Sequence, residues 1–447
     1  MRMKRKRLWM FLLPFLFVSA AAHAEHQLSL RDALLQALRD NPGIRARDRG
    51  LMADKMDVSI ARSFLLPKIT FEERFMRTNN PTYAFMAKLN QERFAAEDFA
   101  IQSLNDPDPI SDFQTSISFE QAIFAPKAYI GREMAEKEYE AKREEVSRRK
   151  EEVAFTVFRT YLDAQTARSY VSVAEKGVAD AREHLRIAES RYANGLGLYS
   201  DKLRAEVAVR TAEERKVTAE KNLMLAKRGL GLLIGLEESV DVDGQRPSLV
   251  PNDLSHYTAA SRSRKDLKGM EARYRNAENN LRMANSAYFP VLGIGGSYQL
   301  NSHKSAFGEE GESWQAMAFL RWELFDGLKR EAEREKAEHR LAEAGEYLNG
   351  MKKQISFEVY EAYLSVGESQ KSLELAKASL AAAEEGRRLV KTRYENNLST
   401  MVDMLDVQTN LDAARADVVA REAAYLTAVA RLSYQSGTLL KDLEIEP

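Results

Sequence analysis

Three glycines, at positions 229, 231 and 235, have the spacing that most resembles a chemical motif, the loop that cradles the phosphates of a dinucleotide. In a true dinucleotide site such a loop follows a strand and opens a helix. Here the glycines follow a helical pattern, and a related segment at 431–437 keeps only the last of them. The spacing therefore predicts close packing at a helix end and not a nucleotide site.

Other residue types that carry chemistry are absent or scattered. The 447-residue chain has no cysteine, which excludes a disulfide framework, a thiolate metal site and a cysteine nucleophile. The six histidines lack the spacing of metal ligands, and no Walker, zinc-protease or serine-hydrolase signature is present. Acidic and basic residues number 67 and 66, so no net charge points to nucleic acid. We predict a protein that is not an enzyme and that holds no cofactor and no metal.

An internal repeat dominates the sequence. The stretch RYANGLGLYSDKL at 191–203 returns as RYENNLSTMVDML at 393–405, and each copy lies between two long Ala-rich helical patterns. Each copy is therefore predicted to be the turn of a long helical hairpin. Gly195 and Asn397 occupy the same repeat position, and Gly and Asn are the types that best tolerate a left-handed helix end.

The start of the chain is typical of a secretory signal. Residues 1–24 combine a basic start, an apolar run and the cleavage site Ala22-His23-Ala24. The alternative is an uncleaved anchor, but the apolar run is too short to span about 30 Å of hydrocarbon.

After the signal, the pattern predicts two repeats that are joined by a connector. The first repeat is 25–235, with strands at 68–76 and 112–124 and helices at 127–193 and 203–233; an equatorial connector follows at 236–262; the second repeat is 263–437, with strands at 291–300 and 314–325 and helices at 327–394 and 403–435; an equatorial tail ends the chain at 438–447. The long helices carry a heptad row of apolar and small residues. Arg387 interrupts that row, and nothing in the sequence explains it.

The predicted strands alternate between apolar and polar residues. Trp314 and Trp322 lie on the apolar face and fit a lipid interface. A soluble, half-buried sheet shows the same alternation, but the signal peptide and the lack of other sheet partners favour a membrane barrel. The first strand pair encloses an extra segment, 77–111, which is predicted to be a polar loop at a hairpin tip.

Together, these features resemble the TolC-type outer membrane efflux protein family. The likeness rests on the signal peptide, the duplicated strand-pair and hairpin unit, Asn41-Pro42, Leu324-Phe325-Asp326-Gly327 and the two Arg-Tyr…Asp turns. It implies a mainly α chain with a small β part. It also implies a homotrimer with four strands per chain in a twelve-stranded barrel, surrounded by outer-membrane lipid, and a long periplasmic α-barrel. Such a trimer is an exit duct, opened by a periplasmic adaptor and an inner-membrane transporter of the RND, ABC or MFS type.

The resemblance also assigns roles to residues of the two turns. Asp403 and Asp406 match the acidic residues of the family's channel constriction, and Asp201 and Tyr394 match contacts between neighbouring hairpins. Ser399 takes a contact position where the best-studied member of the family has an arginine. The charged contacts that keep the channel closed are therefore expected to differ here. The alternative is that Asp201 and Asp403 are ordinary helix N-caps, where Asp is favoured.

Two other classes of protein are alternatives to an export channel. A periplasmic adaptor would show one hairpin flanked by a β domain, and a structural coiled coil would not need strand pairs with Trp. The sequence does not identify the cargo, so drugs, metals, metabolites and polypeptides all stay open.

Overall fold

The computed structural model describes residues 27–445, so the predicted signal peptide lies outside the described residues. The chain is mainly helical with four strands, which confirms the predicted fold class. The helices are α1 Leu30–Asp40, α2 Pro42–Ser63, α3 Pro81–Asn90, α4 Ile101–Asn105, α5 Pro126–Ala193, α6 Tyr199–Leu233, α7 Leu254–Ser261, α8 Lys265–Asn285, α9 Lys329–Glu395, α10 Met401–Ser436 and α11 Leu439–Asp442. The strands are β1 Lys68–Thr78, β2 Ile110–Phe124, β3 Val291–Ser302 and β4 Gly311–Arg321. None of the described helices is both long and apolar enough to cross a membrane.

Two long helical hairpins, α5 with α6 and α9 with α10, make up most of the structure. At 1.5 Å per residue, α5 and α9 are each about 100 Å long. α5 is the central helix, because it packs against α2, α6, α8 and α10. Small side chains such as Ala154, Ala164 and Ala181 are buried along it, which lets the neighbouring helices approach closely.

The largest apolar core surrounds the middle of α5. Phe158, Tyr161 and Leu162 are fully buried there, against side chains of α1, α6, the connector and the tail. The connector at 236–262 contains a helix, α7, that the sequence did not predict. That helix forms because its Tyr257 is buried against Val359 of α9 and neighbouring residues of α10.

The four strands form one antiparallel sheet in the order β1-β2-β3-β4. The register aligns Phe71, Ile117, Tyr298 and Trp314 across one face, which we call the apolar face. Neighbouring positions in each strand, such as Ser116, point to the opposite, polar face. Within one chain β1 and β4 each keep one edge unpaired.

Two predictions for the sheet region were wrong in detail. β4 ends at Arg321 and not at residue 325, because Trp322 leaves the ladder and its indole N–H donates to the Tyr288 carbonyl oxygen at 3.2 Å. The segment predicted as a polar loop at 77–111 contains the helices α3 and α4. Asn80 starts α3 as a capping residue with a proline directly after it, an arrangement that favours helix initiation.

Candidate functional site at the hairpin tips

The turns of the two hairpins have the same backbone geometry. Gly195 and Asn397 both adopt the left-handed conformation, with φ of 72° and 62°. In the first turn the Leu196 N–H donates to the Arg191 carbonyl oxygen at 2.9 Å, and the second turn has the equivalent bond at 2.8 Å. This pairing satisfies a carbonyl group at the end of each long helix and fixes the direction of the returning helix.

Asp403 completes the cap of α10. Its carboxylate oxygen Oδ2 accepts hydrogen bonds from the Thr400 N–H at 2.8 Å, the Thr400 hydroxyl at 2.8 Å and the Ser399 hydroxyl at 2.9 Å. The Thr400 N–H is the largest cause that holds the pKa of Asp403 below its usual range, so the carboxylate is ionised at neutral pH. Because α10 begins at Met401 and not at residue 403, Thr400 is the N-cap, and the suggestion that Asp403 is itself the N-cap is wrong.

Asp406 and Asp201 differ from Asp403 in their surroundings. Asp406 is exposed one turn further into α10, and no described residue forms a side-chain hydrogen bond or ion pair with it. Asp201 is the third residue of α6, which begins at Tyr199 and not at residue 203, so Asp201 is not an N-cap either. Its carboxylate lies 3.7 Å from the guanidinium of Arg204.

Tyr394 lies where the two tips of one chain meet. Its side chain is 4 % exposed, and the Arg191 guanidinium of the first hairpin lies 4.7 Å from its ring centroid. Arg191 also donates to the Tyr394 carbonyl oxygen at 2.8 Å and to the side chain of Asn397. Burial raises the pKa of the Tyr394 hydroxyl; the charge of Arg191 opposes this shift, and the charge of Asp201 acts in the same direction as burial. The Ser399 hydroxyl, by contrast, donates within its own hairpin to Asp403, and no other described residue bonds to that side chain.

The opposite end of the molecule carries an exposed apolar surface, the apolar face of the sheet. Trp314 is 78 % exposed there, and Trp322 lies exposed just beyond the end of β4. The other large exposed side chains on this face include Ile69, Phe71, Phe75, Ile117, Phe119, Ile294, Tyr298 and Leu320. A contiguous apolar surface of this kind marks contact with a partner or with a membrane.

The glycines whose spacing resembles a dinucleotide-binding loop have a packing role instead. A Cβ atom at Gly231 would overlap the Glu238 carbonyl oxygen, and one at Gly235 would lie 2.9 Å from that of Asp40. These glycines allow the end of α6 to pack against the connector and α1, as predicted. Across residues 27–445, no group of three or more His, Asp or Glu side chains could hold a metal ion.

The comparison with known families matches both halves of the repeat. A family described as outer membrane efflux protein matches residues 33–236 and 257–438. The chain belongs to the outer membrane efflux protein family. Membership places the chain in the outer membrane and in an efflux protein family rather than a family of enzymes, as the sequence predicts. It also excludes the periplasmic adaptor and the structural coiled coil.

Individual relatives of this outer membrane efflux protein are distant. Outer membrane protein OprJ of Pseudomonas aeruginosa is 25 % identical over 56 % of this chain and 54 % of that protein. Outer membrane efflux protein BepC of Brucella suis is 20 % identical over 91 % of this chain and 86 % of that protein. The chain spans between half and two thirds of the first curated relatives that it matches. A crystal structure of a membrane protein from Pseudomonas aeruginosa shares the fold, with a TM-score of 0.77, 20 % identity and coverage of 91 % of this chain and 93 % of that chain.

A polar cluster, not anticipated from the sequence, joins the hairpins of this outer membrane efflux protein about 10 Å along α9 from Tyr394. Asp180 of α5 accepts hydrogen bonds from Arg387 of α9 at 2.8 Å and from Arg415 of α10 at 2.9 Å. Gln408 donates to the same carboxylate at 3.1 Å. Arg387 therefore interrupts the apolar row because it pairs with Asp180 across the hairpin junction. The interruption itself was the one signal in the sequence for this cluster.

His184 belongs to the same cluster and is 1 % exposed. Its Nε2 atom lies 3.1 Å from the Gln408 side-chain oxygen, and no described residue bonds to its buried Nδ1 atom. Burial lowers the pKa of His184, and the cations Arg387 and Lys391 of α9 act in the same direction against the opposing charge of Asp180. The imidazole is therefore neutral at neutral pH, with its Nε2–H donated to Gln408.

Proposed function

We propose that three copies of this chain form an exit duct that crosses the outer membrane and continues through the periplasm. The observation that carries the proposal is the four-stranded sheet, which has an apolar face and two unpaired edges, β1 and β4. Backbone groups in lipid must all be paired, so a sheet in a membrane has to close on itself. Four strands are too few to close, since small barrels have about eight. Three chains that pair β1 with the next chain's β4 make a ring of twelve strands.

The helices support the same arrangement. α6 packs on α5, and α9 packs on α8 and α10, so each hairpin keeps an outer side face. These side faces carry exposed large apolar residues, namely Val207, Val217, Met224 and Leu225 on α6 and Phe357, Leu364 and Leu375 on α9. In a ring of three chains, α6 of one chain lies beside α9 of the next and covers both faces. The ring is a periplasmic α-barrel in which 25–235 and 263–437 serve as equivalent repeats.

In this duct, the hairpin tips form the closed periplasmic end, with Asp403 and Asp406 around the axis. Asp406 supports the assignment because no described residue neutralises it. Asp403 supports it less directly, since its charge also stabilises the start of α10. A ring of like carboxylates attracts cations and is blocked by multivalent ones. Contacts of Tyr394, Asp201 and the polar cluster around Asp180 hold the tip closed. Ser399 adds no charged contact to them.

We assign the opening of the tip to protein partners, a periplasmic adaptor and an inner-membrane transporter of the RND, ABC or MFS type. The duct is then the outer part of a tripartite efflux pump or of a type I secretion system. Opening requires α9 and α10 to separate from α5, and the contacts that oppose it are a few polar bonds and one small apolar cluster. Docking of a partner can supply the free energy needed to break these few contacts.

The experiment is to extract the protein from outer-membrane vesicles and record conductance in planar bilayers. We expect a heat-dissociable trimer whose Asp406→Ala variant loses cation selectivity and trivalent block. Asp417→Ala is the matched control, because Asp417 is also exposed on α10 and, among residues 27–445, forms its ion pair with Arg421 of its own helix. A monomer without conductance would refute the duct. Unchanged selectivity in Asp406→Ala would remove Asp406 from the constriction.

A further inference from the structure

The segment 79–109, which we call the insertion, is anchored to the sheet by buried polar contacts. Gln91 follows α3 and is 1 % exposed. Its Nε2 atom donates to the Asp112 carboxylate at 2.7 Å and to the Ser111 carbonyl oxygen at 2.9 Å. Asn301 of β3 donates to the same carboxylate at 3.0 Å. The insertion is thus tied to two strands at the end of the sheet that lies away from the hairpins.

The anchoring contacts identify which face of the sheet the insertion covers. Ile110 and Asp112 alternate with Phe113 of the apolar face, so both point to the polar face. Ala84 and Ala87 of α3 pack against Ile110 there. The Asn90 carbonyl oxygen also lies so near Gly311 of β4 that a Cβ atom at this glycine would overlap it. In a closed barrel, the polar face is the inner one.

Aromatic and ionic contacts within the insertion hold its parts together. Phe94 packs edge-to-face against both Phe85 and Phe99, with ring centroids 4.8 and 5.0 Å apart. Lys88 pairs with Asp98 at 2.7 Å. These contacts, together with the anchoring hydrogen bonds, hold α3 in one position over the sheet.

The exposed side of α3 carries three large apolar side chains. Tyr83, Met86 and Leu89 follow one another at helical spacing and are 56, 52 and 45 % exposed. They lie on the exposed side of α3, whereas Ala84 and Ala87 face the sheet. At helical spacing Met86 and Leu89 point most directly away from the sheet, and Tyr83 lies beside them near the border. In a closed barrel, Met86 and Leu89 therefore point toward its axis.

We propose that the insertions of three copies pack against one another through Tyr83, Met86 and Leu89 and form an apolar constriction at the outer mouth of the duct. The inference rests on the proposed trimer. A twelve-stranded barrel with strands about 4.8 Å apart and tilted by about 40° is about 24 Å across between backbones. Three helices about 10 Å wide fill most of that opening. An apolar ring excludes water, so hydrophilic solutes are held back more than apolar ones.

Cross-linking tests whether the insertions converge. The chain has no cysteine, so a single introduced thiol reports one position. We expect trimers of Met86→Cys to give covalently linked chains with a short bis-maleimide. Arg77→Cys is the matched control, because Arg77 is exposed near the same end of the sheet but points to the apolar face. If both thiols react with a single-headed maleimide and Met86→Cys still gives no linked chains, the proposal is overturned.

Conductance tests the constriction separately from the duct. The tip is a second barrier in series, so the recordings use a Tyr394→Ala background in which the tip is loosened. Replacing Tyr83, Met86 and Leu89 together by Ser keeps the anchoring contacts, and we expect conductance to rise at least twofold. If Tyr394→Ala conducts more than wild type and the triple Ser change does not raise the conductance further, the proposed duct is retained and the proposed outer constriction is refuted. If no variant conducts, the proposed function itself fails.

Discussion

Replacing Asp180 by Asn tests whether the polar cluster holds the tip closed. Asp180 is the carboxylate of α5 to which Arg387 of α9 and Arg415 of α10 both donate. Asn has the same shape but no charge. The change therefore removes the negative charge that attracts the two arginines, without opening a cavity.

The size of the effect follows from the number and exposure of the bonds. A hydrogen bond to a charged group contributes about 1.5–3 kcal/mol. The two arginines donate to different oxygens of Asp180, so the single amide oxygen of the introduced Asn keeps one bond as a neutral one and the other is lost. All three native side chains are about one fifth exposed, which reduces the cost of both changes. We therefore expect a loss of about 2 kcal/mol, well below the sum for two full bonds. Since 1.4 kcal/mol is a factor of ten, the ratio of open to closed tips rises about 30-fold.

The assay counts spontaneous openings of purified trimers in planar bilayers at neutral pH and constant salt. Asp417→Asn is the control, because it removes an exposed ion pair within α10 that does not cross the junction. A rise in opening frequency only in Asp180→Asn supports the account. Equal frequencies in both variants would show that the cluster does not restrain the tip.

Three further outcomes follow from the contacts described above. Burial lowers the pKa of His184. The neutral imidazole therefore stabilises the folded tip fully above the unfolded pKa of about 6.5, and this stabilisation is lost as pH falls below that value. Tip openings should increase from pH 7.5 to pH 5, and His184→Gln should flatten that dependence. Gly231→Ala should lower the thermal unfolding temperature, because its Cβ would meet the Glu238 carbonyl oxygen, whereas Gly229→Ala has open space and should not. Thr400→Ala should cost about 1 kcal/mol in the first turn of α10, seen as faster amide exchange there.

Local features of the fold could be predicted because their causes lie within a few residues. The left-handed turns needed Gly195 and Asn397, and the alternation of apolar side chains marked the strands. The predicted starts of α6 and α10 are too late, because Asp201 and Asp403 are of a type favoured at N-caps but lie at the third position of each helix. The end of β4 was placed too far along because Trp322 continues the alternation, but its indole bonds elsewhere.

Contacts between distant segments could not be predicted in the same way. Arg387 and Asp180 are 207 residues apart, and only packing of the hairpins brings them together. The insertion was expected to be a polar loop because its prolines and asparagines suggest turns. Its Gln91 finds Asp112 only once the sheet has formed, and that contact positions α3.

The most direct test of the central claim is the pairing of sheet edges between chains in native outer membranes. Cysteine pairs, one in β1 and one in β4, can be scanned along the strands of this cysteine-free chain and oxidised. Pairing of β1 with the next chain's β4 in a closed ring of three predicts covalent dimers and trimers and no larger species. Only monomers, or a ladder that continues beyond three chains, would contradict the account.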